Sequence, residues 1–207
     1  MAGEFNFTID PCGDVVLTLD NPNTPFAVLP EDPVREQPRL EPKESESLTY
    51  LLSSRHLSLA SPVFKAMLSG VWAEGKKDES DGLFHLQAQE WDSEALATVL
   101  NIVHGRWSLV PETTTLQKLA SIATIVDYYD IRESMQLISS LWMKEFARSL
   151  VPNSWCRETI LWILVSWVFR HAEIFEQATK VAILRTTREV EIPSDVPIPP
   201  TVTGMCQ

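Results

Sequence analysis

The chain has 207 residues, 44 % of them hydrophobic and 22 % charged, with a formal net charge of −11. That length and mix suit one medium globular domain, or a domain with an appendage, able to bury a proper core. The acidic balance argues against nucleic acid and anionic membrane as partners, because both repel it. Cys12, Cys156 and Cys206 are odd in number and lack metal-ligand spacing, which implies reduced thiols in an intracellular compartment, cytoplasmic or nuclear. Met1 to Asp10 carries neither the basic start nor the long apolar run of a signal peptide. Ile160 to Phe169 is apolar apart from Ser166, but a membrane span needs about 20 such residues, so a buried helix is expected there.

In chain order, Asp14 to Leu19 is a short Val- and Leu-rich run that suits a strand. Asn21 to Glu46 then interleaves six prolines with acidic residues, and too little apolar area is present to offset the entropy of ordering it, so a loose insert is expected. Leu48 to Ser53 resumes as a second strand, with Leu48, Tyr50 and Leu52 alternating toward one face. Ser53 to Glu74 holds Leu57, Leu59, Val63, Phe64, Met67 and Leu68 at helical spacing, which predicts two short helices with one apolar face. Pro62 suits the first turn of the second helix, Ser61 its N-cap and Gly70 its stop.

Gly75 to Gly82 is a polar turn, and Leu83 to Leu86 a third strand. Asp92 can cap a helix carrying Ala95, Leu96, Val99, Leu100 and Val103 and ending at Gly105. Trp107 to Val110 reads as a brief extended piece, and Thr113 or Thr114 opens a helix with Leu116, Leu119, Ala120, Ala123 and Val126 inward. Asp130 with Glu133 has the spacing of a capping box for a further helix burying Ile131, Ile138, Leu141 and Trp142, so Asp127 to Asp130 is a helical corner. Asn153-Ser154 caps another helix, apolar almost all round from Ile160 to Phe169, and a last helix from Ala172 to Arg188 is its natural cover. Helical spacing makes Trp155, Trp162 and Trp167 core by default, and Ile192 onward, with four prolines, should be a flexible tail.

Leu57, Ser61 and Phe64 match the L-x3-S-x2-F core of BTB/POZ domains, and Lys65 to Gly70 is similar to that family's next turn. Gly13-Asp14-Val15-Val16-Leu17 resembles its first strand, and the corner Asp127-Tyr128-Tyr129-Asp130 is similar to its A-x-x-Y-x-x-x-x-L junction, with Tyr129 in the tyrosine slot. The run S-R-H-L-x-L-A-S-P-V-F is most similar to stand-alone BTB proteins of filamentous fungi. Many animal members carry His four residues before the leucine; here that position is Ser53, and His56 inherits no family role. The resemblance covers Phe5 to Ala147. It implies an α+β, Skp1-like fold: a small three-stranded sheet flanked by helical hairpins, over residues 1–150, with the insert at 21–46 inside it. A C-terminal helical extension, 151–190, and a tail, 191–207, complete the chain.

No GxSxG, P-loop, GxGxxG, HExxH or CxxC is present, and His56, His85, His104 and His171 share no spacing. The carboxylate-rich stretches fall in expected loops, where the opposed, rigid environments of an acid/base pair are missing. A non-catalytic protein without cofactor or metal is therefore expected. In adaptor-type BTB proteins a hydrophobic-x-Glu tripeptide after the second helix helps dock a cullin, and Trp72-Ala73-Glu74 stands at the matching place. Trp72 would be the desolvated anchor, Glu74 the orienting acceptor, and Tyr129 a neighbour on the same face. The alternative is a structural or transcription-associated assembly protein using the same fold without a ligase. The long-form BTB dimer swaps an extra N-terminal helix and strand; Met1 to Asp10 is too short for both, so a monomer or non-swapped oligomer is expected.

Overall fold

The computed structural model describes residues 5–29, 47–70, 75–146, 152–185 and 192–199. They form an α+β fold with a four-stranded mixed sheet and seven α-helices. The strands are β1 (Phe7–Thr8), β2 (Val15–Asp20), β3 (Ser47–Leu52) and β4 (Phe84–Gln89), in the order β1-β3-β2-β4. β2 runs antiparallel to β3, with Val15 opposite Leu52 and Asp20 opposite Ser47, and parallel to β4, with Val15 opposite Phe84. Covered on both faces, β2 buries Val15, Val16, Leu17 and Leu19, which explains its near-continuous apolar run. On β4 only Leu86 and Ala88 are buried.

Three strands were expected and four are present. β1 pairs parallel to β3 through Phe7 opposite Tyr50, and the two rings stack at 4.7 Å. Asn6 adds a hydrogen bond from the Thr49 N–H to its side-chain oxygen, 2.8 Å. Two residues are too few to show period-2 alternation, so no pattern marked them. β4 also runs beyond the expected Leu86, because Gln87 and Gln89 face outward while Ala88 packs inward opposite Leu19 of β2.

The helices are α1 (Ser54–Ala60), α2 (Pro62–Met67), α3 (Ser93–Val103), α4 (Leu116–Tyr128), α5 (Arg132–Phe146), α6 (Arg157–Val168) and α7 (Ala172–Arg185). Local caps follow the sequence at two of them. Ser61 Oγ accepts from the Phe64 N–H with Pro62 at the first helical position, and Asp92 accepts from the Ala95 N–H. α4 begins later than expected, with Thr115 accepting from the Lys118 N–H. α1 is capped from elsewhere: the Asp14 carboxylate accepts from both the N–H and the hydroxyl of Ser54, each at 2.8 Å. α6 follows Cys156 rather than Asn153-Ser154.

Asp130 does not cap α5. It takes a left-handed φ of 49°, while the Ile131 N–H reaches back to the Val126 carbonyl and its own N–H to that of Asp127, closing α4 in a Schellman motif. The same closure recurs at Gly105 after α3 and at Arg170 after α6. Trp107–Leu109, expected to be extended, is a 3₁₀ turn. Its preceding Arg106 donates to the carbonyls of Thr8 and Ile9, tying the turn to the β1 edge.

α6 lies between α4 and α7 and is buried from Thr159 to Ser166 and again at Val168. One hydrophobic core therefore runs from the sheet through the C-terminal helices. Of the three tryptophans taken as core, Trp162 is buried and edge-on to Phe146, Trp155 is half-buried, and Trp167 is exposed in the last turn of α6. Leu59 and Leu141, both expected inward, face outward. The expected loose segments are anchored where they are described: Ala27 of the insert, and Val196 and Ile198 of the tail, are buried. No helix among the described residues is long and apolar enough to cross a membrane.

Candidate functional site

Next to the stretch singled out from sequence, the α1–α2 hairpin meets the α4–α5 corner through Ser61, Phe64 and Tyr129. Ser61 is buried, and its hydroxyl accepts from the Phe64 N–H at 3.0 Å while donating to the Tyr129 carbonyl at 2.5 Å. One side chain thus opens α2 and satisfies a carbonyl at the end of α4. Phe64 and Tyr129 stack at 4.2 Å with their planes 12° apart. Tyr129 is only 1 % exposed, and burial pushes its hydroxyl up to about 12, partly offset by a hydrogen bond with the Trp91 side chain. Its ring organises the corner and has no surface to offer a partner. The exposed tyrosine there is its neighbour Tyr128, at 63 %.

Trp72 and Glu74 lie outside the described residues. The two residues that bound their stretch are in backbone contact. A Cβ added to Gly75 would sit 2.3 Å from the Gly70 nitrogen and 2.8 Å from the Met67 carbonyl oxygen, so only glycine permits that approach.

Two arrangements had no signal in the local sequence. The first is a histidine pair: His56 on α1 and His104 at the end of α3 have ring centroids 5.1 Å apart. His104 is half-buried, its Nδ1 is 2.8 Å from the Leu100 carbonyl, and its Nε2 accepts from the Ser53 N–H at 3.0 Å. A ring that must accept at Nε2 and donate at Nδ1 is neutral. Burial holds its pKa below the ordinary histidine value, and the His56 charge pushes the same way. A further histidine contact is an exposed pair, His85 with Asp81 at 2.9 Å.

The second is a cavity of about 510 Å³ between the Asn23–Phe26 loop, the Gln89–Asp92 turn, the outer face of α4 and the Ser194–Pro197 segment. Its floor is a stripe of α4 at helical spacing: Gln117, Ser121, Thr124 and Tyr128. Its walls are fixed. Asn23 accepts from the Ser93 N–H at 3.0 Å, Asp195 accepts from the Ala27 N–H at 2.7 Å, and Arg157 donates to the carbonyls of Phe26 and Ala27 and to Gln117. Trp91 meets Tyr128 edge-on at 5.5 Å and 65°. Asp127 has Arg132 at 3.8 Å, and burial raises its carboxyl pKa. Among the described residues, no group of three or more His, Cys, Asp or Glu side chains is placed to hold a metal ion.

No family model matches the chain, and no curated protein matches it.

Proposed function

We propose that the protein is a non-catalytic interaction module of BTB/POZ type, acting in the cytoplasm or nucleus, that presents the edge after α2 to a cullin. The observation that carries this reading is the close approach of the two residues that flank that edge, beside a hairpin tied to the α4–α5 corner. Ser61 and Phe64 lock α2 onto the α4–α5 corner, and Gly70 and Gly75 hold the ends of the Trp72–Glu74 stretch against each other. A loop whose two ends are held together has less freedom to lose on binding than an open one, which favours a small hot spot. The order of elements also supports it: a hairpin with a long insert, a helical pair, a further strand, then helices that meet at a tyrosine corner.

A second reading, an assembly protein without a ligase, draws on α5. Leu137 and Leu141 are exposed one turn apart at 70 % and 52 %, an apolar strip suited to homotypic or heterotypic contacts. A pull-down with a purified cullin separates the two. Wild-type protein should bind, and Trp72→Ala and Glu74→Arg should each weaken binding roughly thirtyfold, the effect of losing a hot-spot residue. Failure of the wild type to bind overturns the adaptor reading and leaves assembly through α5 as the reading to test by light scattering.

A further inference from the structure

We propose that the cavity beside Trp91 and Tyr128 binds an organic monocation, an alkylammonium or guanidinium group carried on an apolar stem. The inference goes beyond the interaction reading and does not rest on it.

The cavity's volume, about 510 Å³, falls in the range of roughly 300–1,000 Å³ typical of small-molecule sites. The ligand class follows from the lining. Glu90, Asp92, Asp127 and Asp195 line it, and among the described residues no Lys, Arg or His side chain does. Asp92 is engaged by Lys118 at 2.6 and 2.8 Å, and Asp195 by the Ala27 N–H. Glu90 has no side-chain hydrogen bond or ion pair among the described residues, and Asp127 has only the distant Arg132. A cation seated here would relieve the burial that disfavours the Asp127 charge.

The aromatic lining points the same way. Trp91 and Tyr128, in edge-to-face contact at 5.5 Å, both line the cavity, and they give a cation ring quadrupoles to approach and an apolar stem a surface to cover. The floor offers little to an anion. The Ser121 and Thr124 hydroxyls donate to carbonyls of their own helix, Gln117 at 3.3 Å and Ala120 at 3.0 Å. A bare metal ion is a poor fit too, since among the described residues no three carboxylate, His or Cys side chains gather to hold one. The net charge of −11 steers cations toward the surface at large, and the cavity gives them a shaped place to stop.

Isothermal titration of the full chain tests this with N-acetyl-lysine methylamide, N-acetyl-arginine methylamide and the neutral isostere N-acetyl-norleucine methylamide. The two cations should bind, more weakly as salt is raised, and the norleucine compound should not. Tyr128→Ala and Asp127→Asn should each weaken the cations roughly tenfold. Thermal melts of both variants establish that they are folded, and Tyr128, being exposed, can be truncated without opening the core. A lysine-centred nonapeptide that binds more tightly than the free lysine derivative identifies a polypeptide side chain as the source; equal affinities identify a free amine, and either result upholds the site. Absence of binding by both cations, equal binding of norleucine, or wild-type affinity in both folded variants overturns it.

Discussion

Replacing Ser61 with Ala removes two interactions made by one oxygen. The first is the cap on the Phe64 N–H, whose loss costs about 1 kcal/mol, with a range of about 0.5–2. The second is the donor to the Tyr129 carbonyl, and stranding a buried carbonyl costs about 1–3 kcal/mol more. Ser61 is 1 % exposed, so water cannot replace the hydroxyl at either partner without opening the α2–α4 contact. The expected destabilisation is therefore about 3 kcal/mol, the sum of the two central values, about 1 and about 2 kcal/mol. Thr115→Ala is the matched control: Thr115 caps α4 through the Lys118 N–H, is exposed, and makes no second contact, so its loss should cost about 1 kcal/mol or less. Urea titration followed by far-ultraviolet circular dichroism measures both, read as a shift in midpoint at unchanged slope. If Ser61→Ala costs no more than Thr115→Ala, the dual role is wrong and the hairpin is not held to the corner by this residue.

Stability should also fall as pH drops below about 6.5, the unfolded histidine value. His104 has a depressed folded pKa, so between that value and 6.5 the unfolded chain binds the extra proton; the contribution is complete above 6.5 and fades on acidification, and His104→Gln should flatten the urea midpoint between pH 7.5 and 5.5. Arg170→Gly should stabilise by about 0.5–1 kcal/mol, because Arg170 holds a left-handed φ of 55° at the end of α6; an unchanged or lower midpoint refutes this. Ile198→Ala should cost about 2 kcal/mol if the C-terminal segment is part of the core, and nothing measurable if it is not.

What the sequence disclosed depended on how far each cause lay along the chain. Ser61-Pro62 and Asp92 cap their own helices, so the signal and its effect sit within three residues and were readable. α6 was legible from its all-round apolar surface, which had to be covered, and α4 and α7 cover it. Asp14 was read only as the start of a strand, although its carboxylate caps α1 from 40 positions away. Burial alone would raise that carboxyl, but the two Ser54 hydrogen bonds and Lys77 outweigh it and hold its pKa low. Asp130 misled because the same residue type suits an N-cap and a left-handed C-terminal closure, and the pattern with Glu133 could not say which. Tyr129 was placed at the right corner on the wrong side of it: adjacent tyrosines at a helix end point to opposite surroundings, and only packing against Phe64 decides which is inside.

The cavity was invisible for a different reason. Its walls come from the insert and the C-terminal segment, the two stretches whose composition predicts looseness. That prediction averages over a segment, and a proline-rich, acidic average cannot offset its ordering entropy. Anchoring needs no favourable average; it needs a few residues with somewhere to go. Ala27, Val196 and Ile198 find places in the core, Asp195 reaches the Ala27 N–H, and Arg157 gathers the Phe26 and Ala27 carbonyls onto the start of α6. Residues beside such anchors are held in place without being buried, so Thr24 of the insert and Asp195 of the C-terminal segment face a space that Glu90, after β4, and Asp127, on α4, also line. A segment held at a few points can thus form one wall of a cavity, and in the described parts of these two segments the pins, not the average composition, decide which residues line it.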